Sequence, residues 1–485
     1  MTLMHILFFS LAALLYAALL PARWRGWMLL IASVVAIYWL QPALPVRNLD
    51  FILPTATLVL AMAGWLATKP APTEVGFKPT LQGLSRDDLL TLAVTVALVL
   101  GLSATRYLAP ELRPTPSRAP DTLAVALGLI VAGGVLVVLW RLLAGRRSLP
   151  GMALLAVVAL FVLINAGPTA AALSGALRRL AGQSADLAQA TDIGWLGFSY
   201  VAFRLIHTLR ERQTGKLPAL SLREYLTYLI FFPAFTAGPI DRAERFVQDY
   251  RRLFHLPGLD AARITEGTAR ILVGLCKKFV VADSLALFAL NATNAGQAQS
   301  AGALWLLLYG YALRLFLDFS GYSDIAIGIG ILYGVRLPEN FDRPYLRTNI
   351  TAFWQNWHMT LSSWARFYVF SPLSRALLGR NVAPQLAVFL CQMATMLVIG
   401  LWHGITPTFV VWGAWHGVGL FVHKLWSDRT RKWYLSLKDR PRVKQAWSVA
   451  GWLITLQFVV LGWVWFALPD LGAAWNVLVR LFGLA

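Results

Sequence analysis

The chain consists mainly of apolar runs that are long enough to cross a bilayer as helices and that are separated by connections rich in Pro, Gly and Arg. The first six runs lie at about residues 3–20, 27–41, 51–67, 88–109, 121–140 and 149–166. A helix of about twenty apolar residues spans the hydrocarbon layer and satisfies its own backbone hydrogen bonds in lipid. We therefore predict an all-α polytopic membrane protein with about eleven transmembrane helices plus re-entrant and amphipathic helices.

Composition and charge support a membrane protein and argue against a nucleic-acid-binding one. Hydrophobic residues make up 58% of the 485 residues and charged residues 14%, against about 45–50% and about 25% in soluble domains. The chain has 43 Lys and Arg against 23 Asp and Glu, a formal net charge of +20. Because these charges lie between apolar runs, we interpret them as topology determinants that face anionic lipid headgroups, with no nucleic-acid partner.

The N-terminal run carries its basic residues, Arg23 and Arg25, on its C-terminal side. A cleavable signal peptide has the opposite charge order and a small-residue cleavage site. We therefore predict a retained first helix with its N-terminus outside, although the basic connection that holds Arg113 opposes this topology.

The chain divides into three parts by the character of its runs. Residues 1–191 carry almost no polar side chains within the runs and are predicted to form N-terminal scaffold helices. Residues 192–426, the predicted catalytic core, begin with two Pro- or Gly-interrupted segments that are typical of re-entrant structure, IGWLGFSYVAFRLIHTLRERQTGKLP and EYLTYLIFFPAFTAGPIDRAERF. Residues 427–485 are predicted to hold C-terminal helices after a basic cytoplasmic loop, which begins at His423 and ends at Lys444.

Three of the seven histidines lie between Arg343 and Gly417, and each directly follows a tryptophan: His358, His403 and His416. Ionisable side chains are costly in lipid and tend to mark function there. Imidazole is also the side chain best suited to moving protons near neutral pH. We therefore predict the active site in this segment.

His403 is the strongest candidate because of its position. The apolar run 382–401 ends at GLWHG, where Gly400 and Gly404 allow the backbone to approach closely on either side of the imidazole. Pro407 then interrupts the chain before the next helix. A histidine at such a junction can be reached by substrates from both halves of the membrane.

The other histidines have weaker patterns. We predict one helix from Ile350 to about Phe370, on which His358 shares a mostly apolar face, so that a core role and a functional role both stay open. His416 lies well within a regular helix and is expected to be structural. The remaining histidines lie in loops or at edges and are weak candidates: His5, His207, His255 and His423.

Several common chemistries have no motif in this chain. No P-loop, dinucleotide-binding GxGxxG, HExxH or GxSxG motif is present, and Cys276 and Cys391 lack metal-ligand spacing. We therefore predict no metal site and no permanently bound cofactor. What remains is one or two imidazoles in a polytopic bundle, which could deprotonate a hydroxyl and direct it at an activated acyl group.

Long motifs of the core resemble those of membrane-bound O-acyltransferases. They include DFSGYSDIAIGIGILYGVRLPENFDRPY, FWQNWHMTLSSWARFYVFSPL, and GLWHG followed by FVVWGAWHG. The resemblance runs from about Gly194 to Gly419 and is strongest to the bacterial branch with the alginate O-acetylation and D-alanyl teichoic-acid enzymes. It implies a fold that encloses a buried cavity open to both sides, in the bacterial cytoplasmic (inner) membrane.

The resemblance also implies the chemistry of the site. His403 would be the catalytic residue and His358 its companion. The donor would be a cytoplasmic thioester used as a substrate, acetyl-CoA or an acyl carrier protein, with acetyl as the expected group. The acceptor would be an extracytoplasmic hydroxyl, on a cell-envelope polysaccharide or on a serine of a partner protein. FWQNWH has Gln355 and Asn356 where relatives often carry a basic residue, so a donor contact there is not transferred.

Six further residues are predicted to contact or orient substrates: Trp402, Trp357, Tyr322, Asp324, Arg366 and Ser362. For the internal charges Arg314, Asp318 and Asp324, structural pairing inside the bundle is the alternative.

Three alternative functions stay open. In the same class, the protein would transfer D-alanyl or another acyl group from a carrier protein. In a second class, it would be a polytopic transporter or glycan flippase, although its irregular segments cluster in one half of the chain rather than in two related halves. In a third, it would be a structural subunit of an envelope complex.

Overall fold

A computed structural model of the protein describes residues 1–69, 84–143, 146 and 148–484, and within these ranges every regular element is helical. The predicted all-α class is confirmed. The chain forms two compact units, which are described separately below. The N-terminal unit comprises Met1–Ala269 and Ala326–Leu337, and the C-terminal unit comprises Arg270–Ile325 and Pro338–Ala485.

The N-terminal unit contains long apolar helices followed by shorter, buried ones. In chain order they are α1 (Leu3–Leu19), α2 (Arg25–Trp39), α3 (Leu49–Thr68), α4 (Arg86–Leu108), α5 (Thr122–Leu143), α6 (Leu149–Asn165), α7 (Gly167–Leu180), α8 (Phe198–Gln213), α9 (Leu222–Ile230), α10 (Phe232–Phe235) and α11 (Ala243–Arg252). Helix α12 (Ala261–Leu275) continues into the C-terminal unit.

The C-terminal unit holds the three Trp-His pairs. Its helices are α13 (Asp283–Leu285), α14 (Ala292–Gln297), α15 (Ala301–Leu332), α16 (Ile350–Asn356), α17 (Met359–Ala365), α18 (Ser371–Leu378), α19 (Pro384–His403), α20 (Pro407–Ser436), α21 (Pro441–Ala467) and α22 (Leu471–Leu481). The last turns of α15, from Ala326, belong to the N-terminal unit. Two π-helical stretches, Cys276–Ala282 and Arg366–Phe370, join neighbouring helices. Proline occupies the first turn of α19, α20 and α21, where its missing N–H leaves no bond unmade.

In the part of the chain that the structure describes, six helices are long and apolar enough to cross a membrane: α3, α4, α5, α15, α19 and α21. The bent pair of α6 and α7, with an angle of 86°, would make a seventh span. Helix α5 has no buried residue along its length. So extended an apolar surface is compatible with lipid and not with water. The protein is therefore multi-pass, while the predicted count of about eleven spans stays a prediction.

Two predicted elements are wrong. The single helix from Ile350 to Phe370 is interrupted at Trp357 and His358, because His358 takes a left-handed conformation with φ of 43°. The basic segment from His423 to Lys444 is mainly helical rather than a loop, since α20 extends to Ser436. Charged side chains are solvated on a helix surface as readily as in a loop, so the density of charges in the sequence did not distinguish a helix from a loop.

The interrupted segments of the N-terminal unit are largely buried, as predicted for irregular backbone, which a membrane protein tolerates only inside the protein. All but one of the side chains of α9 are buried, and the chain turns at Phe231 before α10. The buried guanidinium of Arg204 donates to the carbonyl oxygens of Leu229 at 2.8 Å and Ala234 at 2.9 Å. It thereby satisfies carbonyl groups that the break leaves without helical partners.

Helices α19 and α20 pack closely through glycine, as the spacing around GLWHG predicted. A methyl group added to Gly413 would lie 2.7 Å from the carbonyl oxygen of Met396, and one added to Gly400 would meet the carbonyl oxygen of Phe409. Only a residue without a side chain permits such backbone contact. This contact fixes the position of His403 at the end of α19.

We predict that Gly413→Ala destabilises the protein, because overpacking of a close contact costs about 1–3 kcal/mol. The matched control is Gly128→Ala in α5, where an added methyl group meets no atom within 4 Å. Thermal unfolding in one detergent should give a lower midpoint for Gly413→Ala and an unchanged or higher midpoint for Gly128→Ala. Equal midpoints for the two variants would contradict the close contact.

Candidate active site

His403 is the last residue of α19, at the predicted junction between two helices. Gly404 ends the helix in an extended conformation, and Pro407 begins α20. The imidazole is half-buried and packs against the rings of Trp402, Phe466, Trp412 and Phe409, with centroid distances of 4.5, 4.8, 5.6 and 5.9 Å. Its nitrogens make no hydrogen bond to any residue that the structure describes.

Trp402 brings His403 and His358 into one site. Its ring lies 4.5 Å from the His403 ring and 5.9 Å from the His358 ring, measured between centroids. The two predicted catalytic residues therefore share a neighbour, although 45 positions separate them in the chain (403 − 358). No group of three His, Cys, Asp or Glu side chains suited to a metal ion occurs among the described residues.

His358 is buried and lies at the helix break rather than on a helical face. It is the N-cap of α17, and its carbonyl oxygen accepts a hydrogen bond from the Ser362 N–H at 3.0 Å. Nδ1 lies 3.0 Å from Oδ1 of Asn340. Phe319 packs edge-on against the ring at 4.7 Å. The Nε2 atom is buried and has no hydrogen-bond partner among the described residues.

His416 is fully buried in the middle of α20, as expected for a structural residue. The Trp354 indole N–H donates to its Nδ1 at 3.3 Å. The rings of Trp412, Phe458 and Trp463 complete an aromatic shell around the imidazole. Nothing in this arrangement exposes the ring to a substrate.

The other predicted residues take different positions. Trp357 is buried among Phe341, Phe353 and Trp463, and its carbonyl oxygen accepts the Ser362 hydroxyl at 3.1 Å. Both residues therefore support the turn that carries His358. Tyr322 is buried within α15. Arg366 is exposed in the π-helical stretch that follows α17.

The internal carboxylates form ion pairs within the C-terminal unit. Asp324 is paired with Arg270 and Lys277, each at 2.6 Å, and Asp318 is paired with Lys278 at 2.5 Å. The structural alternative thus accounts for both carboxylates. Arg314 is exposed on α15 and forms no ion pair with a described residue.

Sequence analysis missed Asn340, which the fold places against His358. The residue stands in the motif RLPENFDRPY, but no spacing rule connects it to a histidine 18 positions later (358 − 340). The burial of the Asn340 amide and its contact with His358 become visible only in three dimensions.

The arrangement as a whole suits proton transfer in a mostly aromatic setting. A half-buried imidazole with unpaired nitrogens can accept a proton from a hydroxyl group. The carboxylates Asp318 and Asp324 are held in ion pairs, which leaves the imidazoles as the candidates for acid–base chemistry.

Comparison with known proteins agrees with this chemistry. The model of the "MBOAT, membrane-bound O-acyltransferase family" matches residues 149–461, which is more than half of the chain. "Probable alginate O-acetylase AlgI" of Pseudomonas aeruginosa is 34% identical over 288 residues, which cover 59% of this chain and 51% of that protein. "Peptidoglycan O-acetyltransferase" of Helicobacter pylori is 34% identical over 287 residues, which cover 57% and 52%. "Teichoic acid D-alanyltransferase" of Streptococcus thermophilus is 34% identical over 295 residues, which cover 57% and 68%.

The chain spans about half the length of the first two of these relatives. The family match includes all three Trp-His pairs and extends on both sides of the region in which the motifs were recognised. The resemblance found in the sequence is therefore confirmed, and this chain belongs to the membrane-bound O-acyltransferase family.

Proposed function

We propose that the protein transfers an acyl group, acetyl in the first place, from a cytoplasmic thioester to a hydroxyl group outside the cytoplasm. The observation that carries the proposal is the placement of His403 at the end of α19, half-buried, without a hydrogen-bond partner among the described residues, and next to Trp402 and His358. Family membership and the printed names of the relatives support acyl transfer to an oxygen atom.

In the proposed reaction, His403 accepts the proton of the acceptor hydroxyl while its oxygen forms a bond to the carbonyl carbon of the thioester. The carbon–sulfur bond then breaks, and the leaving thiolate takes the proton back from the imidazolium. The products are an ester and a free thiol, so the step needs no further reactant. General-base catalysis of this kind contributes about 10²–10⁴-fold to the rate.

The remaining predicted residues take supporting roles in this proposal. Trp402 would form a wall against which the acyl group lies, since it contacts both imidazoles. Trp357 and Ser362 would act through the turn that carries His358. Tyr322 and Asp324 would hold α15 in place. Arg366, exposed and cationic, would be available to the phosphates of the donor.

The acceptor proposed is a cell-envelope polysaccharide or the serine of a partner protein, because the relatives are named for alginate, peptidoglycan and teichoic acid. The proposed location is the bacterial cytoplasmic membrane, with the N-terminus outside and about eleven spans. In that topology, short apolar helices such as α1 would add to the spans counted by length.

We predict that His403→Ala abolishes esterification, with a loss on the order of 10²–10⁴-fold or more. The measurement is mass spectrometry of envelope glycans from cells that lack the gene and express each variant at equal membrane levels. The control is His423→Ala, since His423 bonds to Thr351 and does not contact the His403 ring. Ester groups that persist with His403→Ala would remove this residue from the mechanism.

A donor assay distinguishes transfer of an acetyl group from transfer of a D-alanyl group. We expect the purified protein in lipid nanodiscs to bind acetyl-CoA and, with a competent acceptor, to release free CoA. Binding of a loaded D-alanyl carrier protein, with no binding of acetyl-CoA, would instead favour the D-alanyl alternative. Movement of a glycan across proteoliposomes without consumption of thioester would favour transport.

The ion pairs give a further prediction, which separates a structural role of Asp324 from substrate binding. Asp324→Asn removes a carboxylate that is only 8% exposed and that pairs with Lys277 and, together with Glu339, with Arg270, whereas Asp318→Asn removes a carboxylate that is 46% exposed. We expect a stability loss of about 1–3 kcal/mol for the first variant and about 0–1 kcal/mol for the second. A raised KM for the donor or acceptor with unchanged thermal stability would show that Asp324 binds substrate.

A further inference from the structure

Asn340 presents a fixed oxygen atom to His358. Oδ1 of Asn340 lies 3.3 Å from the backbone nitrogen of Thr360 and 2.9 Å from its hydroxyl oxygen, and its Nδ2 lies 3.2 Å from the Ser323 hydroxyl oxygen. A backbone N–H can only donate a hydrogen bond, so the atom facing it must be the amide oxygen and not the amide nitrogen. The orientation of the Asn340 side chain is thus determined by Thr360.

This orientation determines the tautomer of His358. The same oxygen lies 3.0 Å from His358 Nδ1, and an amide oxygen can only accept a hydrogen bond. Nδ1 must therefore carry a hydrogen atom. In a neutral imidazole the other nitrogen, Nε2, then holds a lone pair and no hydrogen atom.

The lone pair on Nε2 is buried and unpaired among the described residues. A buried acceptor without a partner costs about 1–3 kcal/mol, so this atom calls for an explanation, and a catalytic role is one of those that apply to such groups. Two of the rings that pack against the imidazole, Phe319 and Phe341, carry no hydrogen-bond donor. A hydroxyl group is the ligand chemistry that would satisfy this atom.

The segment that contains Asn340 also holds the backbone around His358. Asn340 accepts the Met359 N–H at 2.9 Å with its carbonyl oxygen, and the Asp342 N–H donates to the Asn356 carbonyl oxygen at 3.1 Å. These bonds bracket a residue whose φ of 43° is unusual for a side chain other than glycine. A strained conformation that is kept in place by its surroundings is a feature of functional sites.

We propose that Asn340 is a positioning residue, which holds His358 in the Nδ1–H tautomer so that Nε2 accepts a hydrogen bond from a hydroxyl group of the acceptor other than the one that His403 deprotonates. The inference rests on the proposed function, and it excludes one role for His358, that of a hydrogen-bond donor to the thioester carbonyl. In this tautomer, Nε2 has no hydrogen atom to donate to a thioester carbonyl. His358 therefore orients the acceptor beside His403 and does not polarise the donor.

The direct test is solid-state nitrogen NMR of the full-length protein in lipid bilayers, with labelled histidine and at about pH 8, where a histidine of ordinary pKa is neutral. The His358 signals are identified by their loss in His358→Gln. We expect a protonated Nδ1 and an unprotonated Nε2. A protonated Nε2 would overturn the proposal, whatever the activity of the protein.

Variants of Asn340 test the same idea through activity. Asn340→Asp keeps an oxygen acceptor for His358 Nδ1 and should retain the tautomer and most of the transfer rate. Asn340→Leu removes the acceptor and should lower kcat by about 10–100-fold, with little change in KM for the thioester. Ser323→Ala is the control, because it removes a contact of Asn340 and leaves the oxygen facing His358 unchanged.

The outcomes separate this proposal from the proposed function. A Nδ1–H tautomer that Asn340→Leu abolishes, together with a slow Asn340→Leu and an active Asn340→Asp, supports both. The same tautomer with full activity in Asn340→Leu and in His358→Gln would overturn a positioning role while leaving His403 as the base. An inactive Asn340→Asp that keeps the Nδ1–H tautomer would also overturn the positioning role, because the tautomer would then not suffice for activity.

Discussion

In lipid, a backbone polar group without a partner costs several kcal/mol, and this constraint shapes the region around His358. The chain leaves the helical conformation between α16 and α17, at the buried residues Trp357 and His358, which frees backbone groups inside the protein. Residues 340–342 supply partners for that break, with bonds to Met359 and Asn356. The turn that carries His358 and the preceding PENFD segment therefore form one hydrogen-bonded unit.

The same constraint applies to α15, whose aromatic and charged side chains lie on different faces of the helix. Phe319 and Ser323 lie one turn apart and contact His358 and Asn340. Asp318 lies on another side of the helix, where it pairs with Lys278, while Gly321 meets the backbone of Gly274. One helix thus offers an aromatic surface to the imidazole and directs its carboxylate to a cation. This separation leaves imidazole as the titrating group beside the aromatic surface.

The sequence was informative where local chemistry dictates local structure. The apolar runs predicted a helical membrane protein, and the glycines and Pro407 around His403 predicted its place at a helix junction. Periodicity failed at His358 because a single left-handed residue leaves the apolar pattern on both sides intact. It also failed after His423, because a charged helix and a charged loop have similar composition. Asn340 could not be found at all, since its contact with His358 depends on tertiary folding.

The three Trp-His pairs are alike in sequence, but the atom bonded to Nδ1 makes their chemistry different. At His416, Nδ1 accepts from the Trp354 indole, so the neutral ring carries its hydrogen on Nε2 and offers no lone pair. At His358, Nδ1 donates to Asn340, and the lone pair lies on Nε2. At His403, no described residue fixes either nitrogen, and a substrate can choose the tautomer. Only the latter two rings hold a lone pair that no described residue engages, and these are the two that share Trp402. The placement of a hydrogen atom, rather than the Trp-His dipeptide, therefore separates the candidate bases from the structural histidine.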